Sequence, residues 1–83
     1  MIINGKEIKI FDYLIKNYSD QYEPEYTKII KVYIENSTRK QLNENIVSGE
    51  NDLVIDNVNY KAKYHGYLSG GTTKRTYLFL SKD

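Results

Sequence analysis

Val58, Tyr60, Ala62 and Tyr64 alternate with Asn59, Lys61, Lys63 and His65. A period of two places the first set on one side of an extended strand and the second on the other, whereas a helix would scatter both around its circumference. The C-terminal part of the chain must therefore form a sheet with one apolar and one wet face. Asp56-Asn57 supplies a tight turn back to Leu53-Val54-Ile55. Thr76-Tyr77-Leu78-Phe79-Leu80 is apolar on both faces, so it reads as a strand that is covered on both sides or central in the sheet.

The first half reads differently. Asn4-Gly5, between two short apolar stretches, marks a tight turn. Ile8, Phe11, Leu14, Ile15 and Tyr18 follow helical spacing and predict a helix over about 8–18, stopped near Ser19-Asp20 and barred from continuing by Pro24. Residues 26–35 carry both patterns. Tyr26, Ile29, Ile30, Tyr33 and Ile34 form a helical stripe after a proline start signal, while Ile30, Val32 and Ile34 alternate and the segment is rich in β-branched residues. The filled stripe favours a helix. Thr38-Arg39-Lys40-Gln41 resembles a capping box, with Leu42 and Ile46 on one face and Gly49 as a stop, giving a short helix over 38–47. The expected fold class is α+β: one domain over 1–83, N-terminal short helices, then a C-terminal antiparallel sheet of two to three strands. Three helices before a ribbon would resemble a winged helix in outline, with 38–47 in the recognition position and 66–75 as the wing tip.

Charge is distributed unevenly. The net charge is only +1, yet residues 57–82 hold Lys61, Lys63, Lys74, Arg75 and Lys82 and no carboxylate, while residues 1–56 hold seven basic and ten acidic side chains. Such a chain can orient on a polyanion or stack on itself as a homo-oligomer. The bland alternative is that the basic segment pairs with the acidic half in the fold. A nucleic-acid surface is expected from Lys61, Lys63, His65, Lys74 and Arg75, with Tyr67 to stack on unpaired bases and Arg39 and Lys40 on the helix. The loop Ser69-Gly70-Gly71-Thr72-Thr73 would leave backbone amides open to a phosphate. A second surface, Tyr18, Asp20, Tyr22, Glu23, Glu25 and Tyr26, joins tyrosines to carboxylates and would suit a host protein partner, as in an inhibitor or accessory factor.

Enzyme chemistry finds little support. The chain lacks cysteine, and its single histidine among scattered carboxylates makes no metal site. The segment 69–74 has neither the spacing nor the following helix of a phosphate-binding loop. His65 as the acid or base of a small metal-free ribonuclease toxin ranks third, behind two non-enzymatic binding readings, and no cofactor is expected. No apolar run approaches a membrane span and no signal-peptide core opens the chain, which leads to the expectation of a cytoplasmic protein. Ile, Lys, Asn and Tyr make up nearly half the residues, while alanine and proline occur once each. That bias suggests an AT-rich genome and a phage or mobile-element origin.

Overall fold

A computed structural model describes residues 1–69 and 73–82. It overturns the helical first half. The chain forms one antiparallel sheet of seven strands: β1 (Ile2–Ile3), β2 (Lys6–Glu7), β3 (Asp12–Asn17), β4 (Lys28–Glu35), β5 (Glu50–Ile55), β6 (Val58–Ser69) and β7 (Lys74–Ser81). A 3-10 turn (Asn36–Thr38) leads into a single short helix, α1 (Arg39–Asn45). In space the strands run β2-β1-β5-β6-β7-β4-β3. Neither the helix over 8–18 nor the one over 26–35 exists, so the winged-helix outline falls with them.

The reason lies in pairing. Residues 28–35 are β-branched or aromatic at five of eight positions, which suits a pleated surface, and β4 sits between β7 and β3 with Ile30, Val32 and Ile34 fully buried. Once β4 is extended, its open edge needs a partner. Residues 12–17 provide one, because they alternate as well as they form a helical stripe: Tyr13 faces Val32 and Ile15 faces Ile30 across the pair. The choice leaves Phe11 and Leu14, both on the rejected stripe, 47% and 38% exposed.

Local turn chemistry behaves as the sequence reads. Asn4 and Gly5 (φ 49° and 86°) join β1 to β2, and Asp56 and Asn57 (φ 50° and 64°) join β5 to β6. Both are two-residue hairpins with positive φ at both central positions, the twist that antiparallel strands favour. β7 is central, with Tyr77 and Phe79 on one face and Leu78 and Leu80 on the other. The capping box does not form. Thr38 already has helical backbone angles at the end of the 3-10 turn, so it lacks the extended conformation from which its hydroxyl would cap.

Glu7 ends one edge strand and Asp12 begins the other, yet only five peptide steps, about 17 Å fully extended, separate them. Seven flat strands would span about 29 Å. The sheet must therefore curl, and the side chains show it: the Tyr13 hydroxyl on β3 donates to Asp56 at the β5–β6 turn, four strands away. The core fills the concave side, with Ile3, Ile30, Val32, Ile34, Leu53, Ile55, Ala62, Tyr77 and Phe79 closed over by Ile8 and by Leu42 of α1. Asn51 and Ser81 are the fully buried polar residues among those described, and Asn51 is the larger. Its side chain accepts from Asn4 Nδ2 (2.9 Å) and the Val47 amide (2.8 Å), and donates to the carbonyls of Val47 (3.1 Å), Ala62 (3.3 Å) and Gly49 (3.4 Å). It ties the first hairpin, the loop after α1 and β6 together. Among the described residues, no helix is long and apolar enough to cross a membrane.

Candidate nucleic-acid interface

Lys61 and Lys63 project from the convex face of β6, as their alternation requires, but each stands beside a carboxylate. Lys61 pairs with Asp52 directly across on β5. Lys63 pairs with Glu23 at 3.1 Å. The Asp52 and Glu23 carboxylates raise the pKa of their respective lysines by hydrogen bonding and by charge. The segment between β3 and β4 folds back over this face. Tyr26 lies under both Lys63 and Lys82, with ammonium-to-ring distances of 5.9 and 5.8 Å, and Tyr18 meets His65 edge-on at 6.1 Å. The two surfaces expected from the sequence thus meet in part, Lys63 with Glu23 and Tyr26 and His65 with Tyr18. A polyanion approaching Lys61 and Lys63 would meet two locally neutral pairs.

Tyr67 ends up elsewhere. The β6–β7 register shifts between Tyr64 and Gly66, so His65 is an extra residue and the alternation changes sides after it. Tyr64 is opposite Phe79 and Tyr67 opposite Tyr77, which places both tyrosines on the concave face. Their rings form a row: Tyr67 stacks on Tyr77 with centroids 5.7 Å apart, Tyr64 lies 5.8 Å from Tyr77, and Tyr64 lies 5.7 Å from Phe79. The buried Tyr77 hydroxyl donates to Asn43 Oδ1 and so fixes the row against α1. Burial raises the pKa of both Tyr64 and Tyr77, and the nearby Arg39 guanidinium partly opposes the rise at Tyr77. Tyr67, at the open end of the row, is 48% exposed.

Near the row stand Arg39, the first residue of α1, whose charge reaches Tyr77, and Arg75, two positions before Tyr77 on the same face of β7; Lys40 follows Arg39 on the helix and is exposed. Arg75 also donates from Nη1 to the Lys74 carbonyl at 3.2 Å. Lys74 faces the convex side, with its ammonium 5.1 Å from the centre of the Phe11 ring. Glu35 sits opposite Lys74 across the β4–β7 pair, and Glu44 follows Arg39 and Lys40 on α1. The phosphate-cradle expectation at Gly70 and Gly71 lies outside the described residues. Tyr77 and Asn43, which position Tyr67, were not among the expected site residues. Gly66 inside an alternating run was the one sequence sign that the strand would break step there.

The acid and tyrosine surface is a braced loop. Asp20 accepts the Tyr22 amide (2.7 Å) and the Tyr18 hydroxyl (3.2 Å), and its carbonyl accepts the Glu23 amide (3.2 Å). Glu23 and Tyr26 face inward to Lys63, Glu25 is exposed, and Tyr22 projects with 84% of its surface open. One cleft of about 240 Å³ opens at the seam where the sheet curls, lined by Met1, Ile10, Phe11, Asp12, Tyr13, Ile55 and Asp56. It is below the usual size of a small-molecule pocket. No group of three or more metal-ligating side chains occurs among the described residues. No family model, curated protein or solved structure matches the chain.

Proposed function

We propose that this protein binds single-stranded nucleic acid at the open end of its concave face, not along the lysine row of β6. The observation that carries the reading is Tyr67: a half-exposed ring stacked on a buried tyrosine that α1 holds in place. A ring already fixed loses little entropy when a base stacks on its open face, and such stacking tolerates any base. Arg39 beside Tyr77 and Arg75 on the same face of β7 would meet phosphates flanking that base, with Lys40 next to Arg39 and Lys74 on the other face of β7 as further cations. Binding to labelled oligonucleotides across a salt series should show a negative slope. Tyr67→Ala should weaken it about tenfold or more, in line with about 1–3 kcal/mol per stacked base. Arg39→Glu with Lys40→Glu should weaken binding and flatten the slope, whereas Lys61→Glu with Lys63→Glu should matter less. Absence of binding at low salt, or a larger loss from the β6 lysines than from Tyr67, would sink the reading.

A second reading rests on Tyr22. A largely exposed tyrosine whose backbone amide is bonded to Asp20, with Glu23 next in the chain, is what an anchor residue in a protein interface looks like. That reading expects a host partner that stays bound after nuclease treatment and is lost with Tyr22→Ala.

A further inference from the structure

The edge strand β3 has a backbone and a side-chain pattern that match a second copy of itself. The Tyr18 amide donates to the Thr27 carbonyl at 2.8 Å, in line with the Asp12–Asn17 register against β4, and this fixes which residues bond inward. Asp12, Leu14 and Lys16 turn their amides and carbonyls towards β4. Tyr13, Ile15 and Asn17 turn theirs outward, past the last strand of the sheet. Among these, the Tyr13 amide is met by the Asp12 carboxylate at 2.8 Å, a local bond that an incoming strand can replace.

The side chains impose a register. On the convex face β3 presents Asp12, Leu14 and Lys16, all exposed. If two copies pair antiparallel about a two-fold axis at Leu14, then Leu14 meets Leu14, Asp12 meets Lys16, and Lys16 meets Asp12. In that register Tyr13 and Ile15 of the two copies face each other with their outward backbone groups, which is what the ladder requires. Shifting the axis by one residue, to Tyr13 or Ile15, loses both charge matches. The geometry points to a homodimer joined through β3, with a continuous sheet running across the two copies and Leu14 covered at its centre. It stands apart from the nucleic-acid reading, which is carried by Tyr67 on β6, three strands away in the sheet.

A charge-swap series tests this, because a two-fold axis doubles every change. Molar mass by light scattering or sedimentation should rise with concentration for the wild-type chain, measured up to about 1 mM, the weak end of specific association. Asp12→Lys alone and Lys16→Asp alone each set two like-charged pairs against each other and should weaken the dimer by about tenfold or more. The double variant Asp12→Lys, Lys16→Asp restores opposite charges and should recover it, with circular dichroism confirming that all variants fold. Zero-length cross-linking of mixed light and heavy isotope-labelled chains should join Asp12 of one copy to Lys16 of the other. Within one chain these residues are about 13 Å apart along the strand, too far for such a bond. A chain that stays monomeric throughout overturns the proposal, as does a dimer that the single swaps leave intact or that the double swap fails to restore.

Discussion

Replacing Asn51 tests whether a single buried amide holds three parts of this fold together. Asn51→Ala removes two acceptor and three donor contacts. Asn4 Nδ2 keeps its second partner, the Asn45 carbonyl at 2.7 Å, so it is not orphaned. The Val47 amide loses its acceptor, but Val47 is 47% exposed and water can take the place of the lost oxygen, so this costs about 0.5–1.5 kcal/mol. The long bonds to the Val47, Gly49 and Ala62 carbonyls add about 0.5 kcal/mol each at the low end of the usual range. The sum is about 2–3 kcal/mol, a large share of the roughly 4–12 kcal/mol expected for a chain of this length. Thermal unfolding should shift down by about 10–20 °C.

Asn51→Asp separates hydrogen bonding from shape. Its carboxylate keeps both acceptor contacts but faces three carbonyl oxygens where the amide had donated. Burial and those oxygens favour the neutral acid, so the folded-state pKa rises above the unfolded value of about 3.9. Protonation then stabilises the fold below the unfolded value, and that stabilisation is lost as the pH climbs through the folded one. The deficit against wild type should therefore widen from pH 4 to pH 7, followed by chemical denaturation at each pH. A loss under about 1 kcal/mol for Asn51→Ala, or a deficit for Asn51→Asp that does not change with pH, would refute the reasoning.

Further outcomes follow from the same geometry. Tyr64 and Tyr77 (burial first), Tyr13 (its bond to Asp56 first), Tyr18 (burial first), Lys61 and Lys63 (bonds to Asp52 and Glu23 first) all have raised pKa values, so each holds its proton in the fold at a pH where the unfolded chain releases it. Stability should accordingly be intact below about pH 10 and fall as the pH rises beyond it, in melts between pH 8 and 11.5. Tyr77→Phe removes the bond to Asn43 and should cost about 0.5–1.5 kcal/mol while loosening Tyr67, seen as weaker oligonucleotide binding at unchanged salt slope. Gly66→Ala meets no atom within 4 Å but must hold φ near 121°, so it should lose about 1–3 kcal/mol from backbone strain alone. Asn57→Gly, at φ 64°, should instead raise the melting temperature slightly.

What the sequence disclosed was set by how local the deciding physics is. Asn4-Gly5 and Asp56-Asn57 declare their turns because the positive φ they need is a property of two residues. The alternation of 58–64 and the core position of Leu42 on α1 are likewise visible within one turn or one strand, although the helix stops at Asn45 and leaves Ile46 extended. Residues 8–18 were misread because Tyr13 and Ile15 fit a strand as well as Ile8, Phe11 and Leu14 fit a helix, and only pairing with β4 decides between them. The interface was harder still. Lys63 is neutralised by Glu23, forty positions away, and no periodicity in either segment announces that contact. Tyr67 changed faces because one residue, His65, drops out of register with β7.

The central place of β7 has a consequence for how this chain is made. β3 and β4 are synthesised early, but their half of the sheet joins the other half only through β7, which follows all six other strands in the chain. Until it appears, the 12–35 hairpin and the 50–69 hairpin are two separate half-sheets, each with a long unpaired edge. Folding on the ribosome must therefore wait, and the newborn chain is most open to edge-to-edge aggregation just before its final strand closes the gap.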